Sequence, residues 1–278
     1  MINGYVKDAG KNLNMSIDLS LAGLSREEKI TQLSELNPTY CFENEQIRKV
    51  VDKIIEKGHR RLPILSKDKR VVGIITTMDI LEAFLRKQNF QDPISTIMNR
   101  EVIFCDANET LGNVLLKFKF SRRGGFPITK NGKLVGMISE RDIVRRFSSL
   151  IFGIKVEEAM TKKPFFLDPK ISILDAIKSM VNTHYRRLPL VKDKKLVGIF
   201  TSADALLYLK KCDFNFSNLF ESVMPTFTKE VYYIEKDKDL SEAIKEMVRR
   251  DVGGLPVVGD DGVLEGIITE RDILEEIV

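Results

Sequence analysis

Only three cysteines and two histidines occur in the 278 residues. Three unevenly placed cysteines do not make a disulfide framework. Two histidines are too few for a zinc site built from them. No apolar run approaches the ~18 residues of a membrane-spanning helix. Residues 1–20 are polar and lack the apolar region of a signal peptide, so the expected location is cytoplasmic. Long Lys/Arg blocks are missing too. Lys and Arg number 44 against 40 Asp and Glu, a net charge of +4 spread along the chain, which argues against nucleic acid as the main partner. No Gly-x-x-x-x-Gly-Lys-Ser/Thr loop, Gly-x-Ser-x-Gly elbow or paired-Cys metal motif is present. A nucleophile with its base cannot be assembled. The expectation is a protein that is not an enzyme, with no catalytic residue, metal or catalytic cofactor.

What the chain does contain is a fourfold repeat. It reads Pro63–Gly73–Thr76–Asp79, Pro127–Gly136–Ser139–Asp142, Pro189–Gly198–Thr201–Asp204 and Pro256–Gly266–Thr269–Asp272. Gly-to-hydroxyl and hydroxyl-to-Asp spacings are three in every copy, so only the turn between Pro and Gly varies. A fixed period decides the architecture before any local reading. Units of roughly 60 residues are marginal alone, so they are expected to pair and share cores. The predicted divisions are an N-terminal arm, 1–29, and units at 30–87, 92–149, 154–211 and 217–278.

Each unit reads β-α-β-β-α, an α/β (α+β) class. First strands are expected at "EVIFC" (101–105), "KPFFL" (163–167) and "EVYYI" (230–234). Ile47, Val50, Val51, Ile54 and Ile55, like Leu240, Ala243, Ile244, Met247 and Val248, form one apolar helical face. Asn44, Asn108 and Asp239 are candidate N-caps. Two apolar runs joined by turns such as "KNG" or "GDDG" form a strand pair. The last helix begins at or near the motif Asp. Residues 25–36 are weakly helical. Cys41 and Cys105 share a column with Leu167 and Ile234, which marks them as core residues. His59 and His184 fall in different columns and suit a polar surface role.

The Thr/Ser-x-x-Asp lies where the last strand turns into the last helix, with both side chains close together. A carboxylate there can accept from neighbouring hydroxyls, such as those of a ribose. The hydroxyl and the helix N-terminus can receive phosphate. The alternative is a plain N-cap. Just before the prolines, odd units carry Arg60-Arg61 and Arg186-Arg187, and even units carry Gly124-Gly125 and Gly253-Gly254. Arginine supplies forked donors to phosphate, and glycine lets backbone approach a ligand. Even units add Arg141 and Arg271 inside the motif, and the second has Arg123 upstream. The alternative for these arginines is a solvated face.

The segments "GHRRLPILSKDKRVVGIITTMDIL", "RRGGFPITKNGKLVGMISERDIV", "HYRRLPLVKDKKLVGIFTSADAL" and "DVGGLPVVGDDGVLEGIITERDIL" resemble cystathionine-β-synthase (CBS) domains. The resemblance covers about residues 30–278. It implies two tandem pairs, or Bateman modules, forming a pseudo-symmetric disc, as in the gamma subunit of AMP-activated protein kinase. It implies clefts for an adenosyl ligand: AMP, ADP or ATP, with S-adenosylmethionine or methylthioadenosine as alternative. By resemblance Asp79, Asp142, Asp204 and Asp272 hold ribose. Thr76, Ser139, Thr201 and Thr269 supply hydroxyls. Arg60, Arg61, Arg123, Arg141, Arg186, Arg187 and Arg271 hold phosphate. Leu62, Pro63, Phe126, Pro127, Leu188, Pro189, Leu255 and Pro256 contact adenine, mainly through backbone. Where that gamma subunit typically has His first in the basic pair, this chain has Arg. The implied role is a regulatory sensor acting on an unidentified protein partner, with a homodimer open. A nucleic-acid-binding protein and a scaffold with empty clefts are the remaining alternatives.

Overall fold

The structure, a computed structural model, describes residues 18–223 and 231–277. In the first unit, β1 (Glu35–Leu36) and β2 (Cys41–Phe42) precede α1 (Ile47–Lys57), β3 (Arg61–Leu65), β4 (Val71–Thr76) and α2 (Thr77–Leu85). The second has β5 (Cys105–Asp106), α3 (Leu111–Ser121), β6 (Gly125–Lys130), β7 (Lys133–Ser139) and α4 (Glu140–Val144). The third has α5 (Val156–Ala159), β8 (Thr161–Lys162), α6 (Ile173–Thr183), β9 (Arg187–Lys192), β10 (Lys195–Thr201) and α7 (Ser202–Lys211). The fourth has β11 (Ile234–Glu235), α8 (Leu240–Arg249), β12 (Gly254–Val258), β13 (Leu264–Thr269) and α9 (Glu270–Ile277).

Local chemistry accounts for these elements. Ile47, Val50, Val51 and Ile54 are the buried face of α1. Gly58, at φ 65°, ends that helix by donating to the Ile54 and Ile55 carbonyls, a left-handed stop that glycine adopts freely. The "KNG" turn joins β6 to β7 with Asn131 and Gly132 at positive φ, the pairing that two-residue hairpins need. Of the candidate N-caps, Asp239 caps α8, accepting from Ser241 N. Asn44 and Asn108 do not cap: Gln46 and Thr110 stand at those helix starts. The first strands are also shorter than expected. Only Cys105–Asp106 and Ile234–Glu235 pair as strands, and Leu167 makes one parallel bridge to Leu190. Upstream residues such as Ile103 and Phe104 meet no neighbouring strand and stay partly exposed. Glu230 of the fourth segment lies outside the described residues. Residues 25–36 form a 3-10 turn (Ile30–Gln32) and β1 rather than an α-helix.

The arm packs, as far as it is described. Leu19 and Leu24 are buried, beside Ile30 and Leu33 of the first unit, in a core with Leu111, Phe118 and Phe126. The segment leading into each unit crosses to its tandem neighbour. Lys29 bridges Thr110 and β1 pairs with β7; Pro93 bridges Gln46 and Asn99 bridges Ile74. The second half repeats this: Lys155 bridges Asp239, β8 pairs with β13, and Ser222 bridges Ser172. In units one, two and four the motif glycine makes room for this crossing. A Cβ on Gly136 would lie 3.0 Å from the Glu35 carbonyl oxygen, and those on Gly73 and Gly266 would strike Met98 and Met160. Reciprocal exchange ties units one and two into one module and three and four into another.

The modules then meet through helices. One apolar core joins units one and three, with Ile80, Leu81 and Phe84 against Leu206 and Leu209. The other joins units two and four, with Ile143, Val144 and Phe147 against Ile244 and Met247. Four units thus close into a ring. This division suits the physics, since a unit of this size cannot bury enough surface alone. Between units one and three, the buried hydroxyls of Thr77 and Ser202 share a hydrogen bond of 3.0 Å. Thr77→Val or Ser202→Ala alone strands one buried hydroxyl, and each is expected to cost about 1–3 kcal/mol. The double variant should lose less than the sum of the two. Urea unfolding of all four proteins checks this, and strict additivity would remove the hydroxyl pair from the seam.

Candidate functional site

The four Thr/Ser-x-x-Asp motifs lie at strand-to-helix junctions, as their spacing predicted. Each forms a reciprocal cap. Thr76 N and Thr76 Oγ1 both donate to Asp79 Oδ2 at 2.7 Å, and Asp79 N donates back to Thr76 Oγ1 at 3.3 Å. The same contacts tie Thr201 to Asp204 and Thr269 to Asp272. Ser139 likewise donates through N and Oγ to Asp142 Oδ2. The N-cap reading is therefore a fact of the structure. It uses one oxygen of each carboxylate and leaves the other to decide what else the motif can do.

That second oxygen differs between units. Asp142 Oδ1 takes the Arg145 guanidinium, and Asp272 Oδ1 accepts from Thr161 Oγ1 at 3.0 Å. Among the described residues no such hydrogen bond reaches Oδ1 of Asp79 or Asp204. Neither Arg145 nor Thr161 is in the repeat pattern. Thr161 arrives on a strand lent by unit three, which no reading of unit four alone could supply.

Burial disfavours the charged carboxylates of Asp79 and Asp204 and raises both pKa values; the hydrogen bonds from Thr76 and Thr201 oppose it. Arg123 is a further lowering influence on Asp79. A raised folded-state pKa stabilises the protein below the unfolded value and loses that contribution as pH rises through the folded value. Asp79→Asn keeps an acceptor for the cap and removes a buried charge. We expect it to raise the melting midpoint near pH 7, with the gain shrinking as pH falls toward about 3. Melts across that range check it, and a gain independent of pH would contradict it.

The pre-proline residues stand directly behind the helix starts. Thr77 N donates to the Arg60 carbonyl at 3.1 Å and Ser202 N to that of Arg186 at 2.9 Å. Leu62, Phe126, Leu188 and Leu255 turn their side chains into the cores, and the four prolines are buried. Their backbones lie in the paired strands of each unit. His184 ends α6 as an exposed left-handed cap residue. His59 meets Thr39 Oγ1 through Nε2 at 3.0 Å. Cys41 and Cys105 are buried, and burial pushes their thiols up to about 11 and about 12.

Arg123 is exposed, so the solvated reading holds for it; the other six arginines do not form a solvated face. They converge where the two modules meet. Arg60 pairs with Glu270 at 3.1 Å, Arg141 with the same carboxylate at 2.7 Å, and Arg271 with Glu140 at 2.5 Å. All three pairs cross from one module to the other. Arg141 also reaches Asp251 at the exposed rim. Arg61 donates to the Gly125 carbonyl at 3.3 Å. Arg61 and Arg187 keep some accessible surface, yet protein atoms crowd each guanidinium. Burial, then the Arg186 charge, lowers each to about 10. Both stay protonated at neutral pH and are poorly compensated.

The Gly-Gly of the even units serves this cluster. A Cβ on Gly124 would lie 2.8 Å from Arg61 Nη2 and 3.0 Å from Glu140 Oε2. One on Gly253 would collide with Arg60 and Glu270 and stand 2.7 Å from Arg187 Nη2. Glycine here admits arginines of other units, where the sequence suggested only room for a ligand. Glu140 and Glu270 are the residues that sequence reasoning missed. Their column holds Thr77 and Ser202 in odd units and glutamate in even units, an alternation that could have flagged them. Among the described residues no group of His, Cys, Asp and Glu could hold a metal ion, and no helix is long and apolar enough to cross a membrane.

A family model described as CBS domain matches residues 31–86, 94–149, 156–211 and 223–278. Protein MJ1225 of Methanocaldococcus jannaschii is 30% identical over 256 residues, covering 82% of this chain and 91% of that one. Its crystal structure, described as that of a proposed archaeal homologue of γ-AMPK, superposes with a TM-score of 0.83 at 26% identity, over 90% of this chain and all of that one. A 33.4 kDa protein from a ribosomal RNA operon of Thermofilum pendens is 27% identical over 256 residues, 81% of this chain and 84% of the relative. A conserved Pyrococcus horikoshii protein shares the fold, with a TM-score of 0.63 at 20% identity, over 90% of this chain and all of that one.

Proposed function

The chain belongs to the CBS domain family, and on that footing we propose that it is a regulatory protein whose clefts bind an adenine nucleotide. The observation that carries this reading is the unbalanced arginine cluster between the modules, with Arg61 strand-paired to Thr76 of the first motif. A buried guanidinium without an anion is costly, so a phosphate-bearing ligand is the natural complement. The Asp79 cleft suits a ribose best: Oδ1 is open among the described residues, and Arg123 lies near enough to influence the carboxylate. The description of MJ1225 as a proposed γ-AMPK homologue supports a nucleotide over other adenosyl ligands. Ligand binding would act by linkage, favouring the module arrangement to which it binds more tightly, with a protein partner reading that arrangement.

Calorimetric titration of nucleotide-free protein with AMP, ATP and S-adenosylmethionine tests the reading, beside Asp79→Ala and Asp204→Ala. Saturable binding of AMP or ATP, weakened in at least the Asp79 variant, is the expected result. Binding of S-adenosylmethionine alone would replace the nucleotide with a phosphate-free ligand. No binding of any of the three would overturn the reading.

A further inference from the structure

The four units carry the same helix ahead of the proline-containing strand: α1, α3, α6 and α8. Each buries one apolar face, and the outer faces differ. On α3, Leu116 and Phe120 stand one turn apart and are 45% and 78% exposed. The same two columns hold Asp52 and Glu56 in α1, Lys178 and Asn182 in α6, and Lys245 and Arg249 in α8. Three copies of the helix thus carry polar side chains there, and one carries a leucine and a phenylalanine. Packing within the unit does not require them. Leu111, Val114, Leu115 and Phe118 already fill the inner face, as Ile47, Val50, Val51 and Ile54 do in α1. Adjacent exposed apolar side chains, unlike scattered ones, mark contact surfaces. The charge around the pair has one sign. Residues 111–123 include Lys117, Lys119, Arg122 and Arg123 and no acidic residue, whereas α1, α6 and α8 each contain Asp or Glu. Lys117 is satisfied from within the unit by Glu109 at 2.7 Å. Arg122 and Arg123 are exposed at the end of the face, and Arg123 lies close enough to act on the Asp79 carboxylate.

We propose that the outer face of α3 docks a protein segment that carries apolar residues one helical turn apart with carboxylates beside them. Leu116 and Phe120 are the anchors, in the manner of an amphipathic segment laid against an apolar strip. The basic residues around them select an acidic flank. Charge decides between occupants. Two copies of this chain meeting through α3 would set these basic residues against one another. Residues 1–17 contain two lysines and one aspartate, again the wrong sign. A bilayer surface needs a broad apolar face. The helix offers these two large side chains only, because its inner face is committed to the core. Docking here needs no ligand in any cleft, so it stands or falls apart from the nucleotide reading.

The test uses the full chain and three helical peptides of equal length. One pairs leucines with glutamates, the second has lysines in place of the glutamates, and the third has serines in place of the leucines. Fluorescence anisotropy reads binding, and amide NMR shifts locate it. The leucine–glutamate peptide should bind saturably and move the α3 amides more than those of α1, and the other two should bind far more weakly. Leu116→Gln with Phe120→Gln should weaken the leucine–glutamate peptide roughly tenfold or more. The same double variant should keep the parent's melting midpoint, as exposed positions do. A lower midpoint would make the pair part of the chain's own packing and overturn the proposal. Equal binding of the lysine peptide, or no binding of the leucine–glutamate peptide, would overturn it too. So would dimers that the double variant abolishes, or co-sedimentation of the parent but not the variant with phosphatidylserine vesicles.

Discussion

Glu270→Gln is expected to lower stability by about 3–5 kcal/mol, the usual cost of removing one partner from a buried ion pair. Glu270 is buried and takes Arg60 at 3.1 Å and Arg141 at 2.7 Å. Both arginines belong to the other module. The amide keeps the shape but removes one of the two buried carboxylates that, among the described residues, pair with arginines across the modules. The loss should therefore exceed that of a surface pair, which contributes at most about 1 kcal/mol. Arg86→Ala is the comparison, since Arg86 pairs with Glu82 on an exposed helix face. Calorimetric melts of the two variants, in chloride buffers without phosphate, give the difference. Equal effects would mean that Glu270 does not balance the cluster.

Phe126→Ala carries the second large effect, a loss of about 3–5 kcal/mol. Phe126 is 1% exposed and packs its ring 4.8 Å from that of Phe118. It sits in the core that joins units two and four. The cavity should therefore loosen a unit that lies more than 100 residues away in sequence. Hydrogen exchange should accelerate in α8 and α9 of unit four as well as in α3, and remain unchanged in α6 and α7 of unit three. Exchange confined to unit two would mean that the two units do not share one core.

Much of the fold was legible because it is local and repeated. A Pro, a Gly three residues before a hydroxyl, and an Asp three residues after it recur four times. Each position has a short-range cause: a capping pair, a hairpin, an apolar helical face. Errors arose where a residue's role depended on distant chain. Asn44 and Asn108 have the right side chains for caps but stand two residues too early. The aromatic stretches before Cys105 and Leu167 look like strands, yet they lack a neighbour to pair with.

The candidate site divides the same way. The sequence by itself determined the four motif carboxylates, their hydroxyls and the alternation of Arg-Arg with Gly-Gly, because these are spacings within one unit. Only the tertiary structure decided that Thr161, borrowed from the neighbouring unit, occupies Asp272, and that Arg145 occupies Asp142. Only it showed that Gly124 and Gly253 make room for arginines of other units, and that Glu140 and Glu270 meet those arginines across the modules. The reason is physical. Capping and periodicity act over a few residues of chain, whereas charge balance and close packing act through space, among groups that ring closure alone brings together.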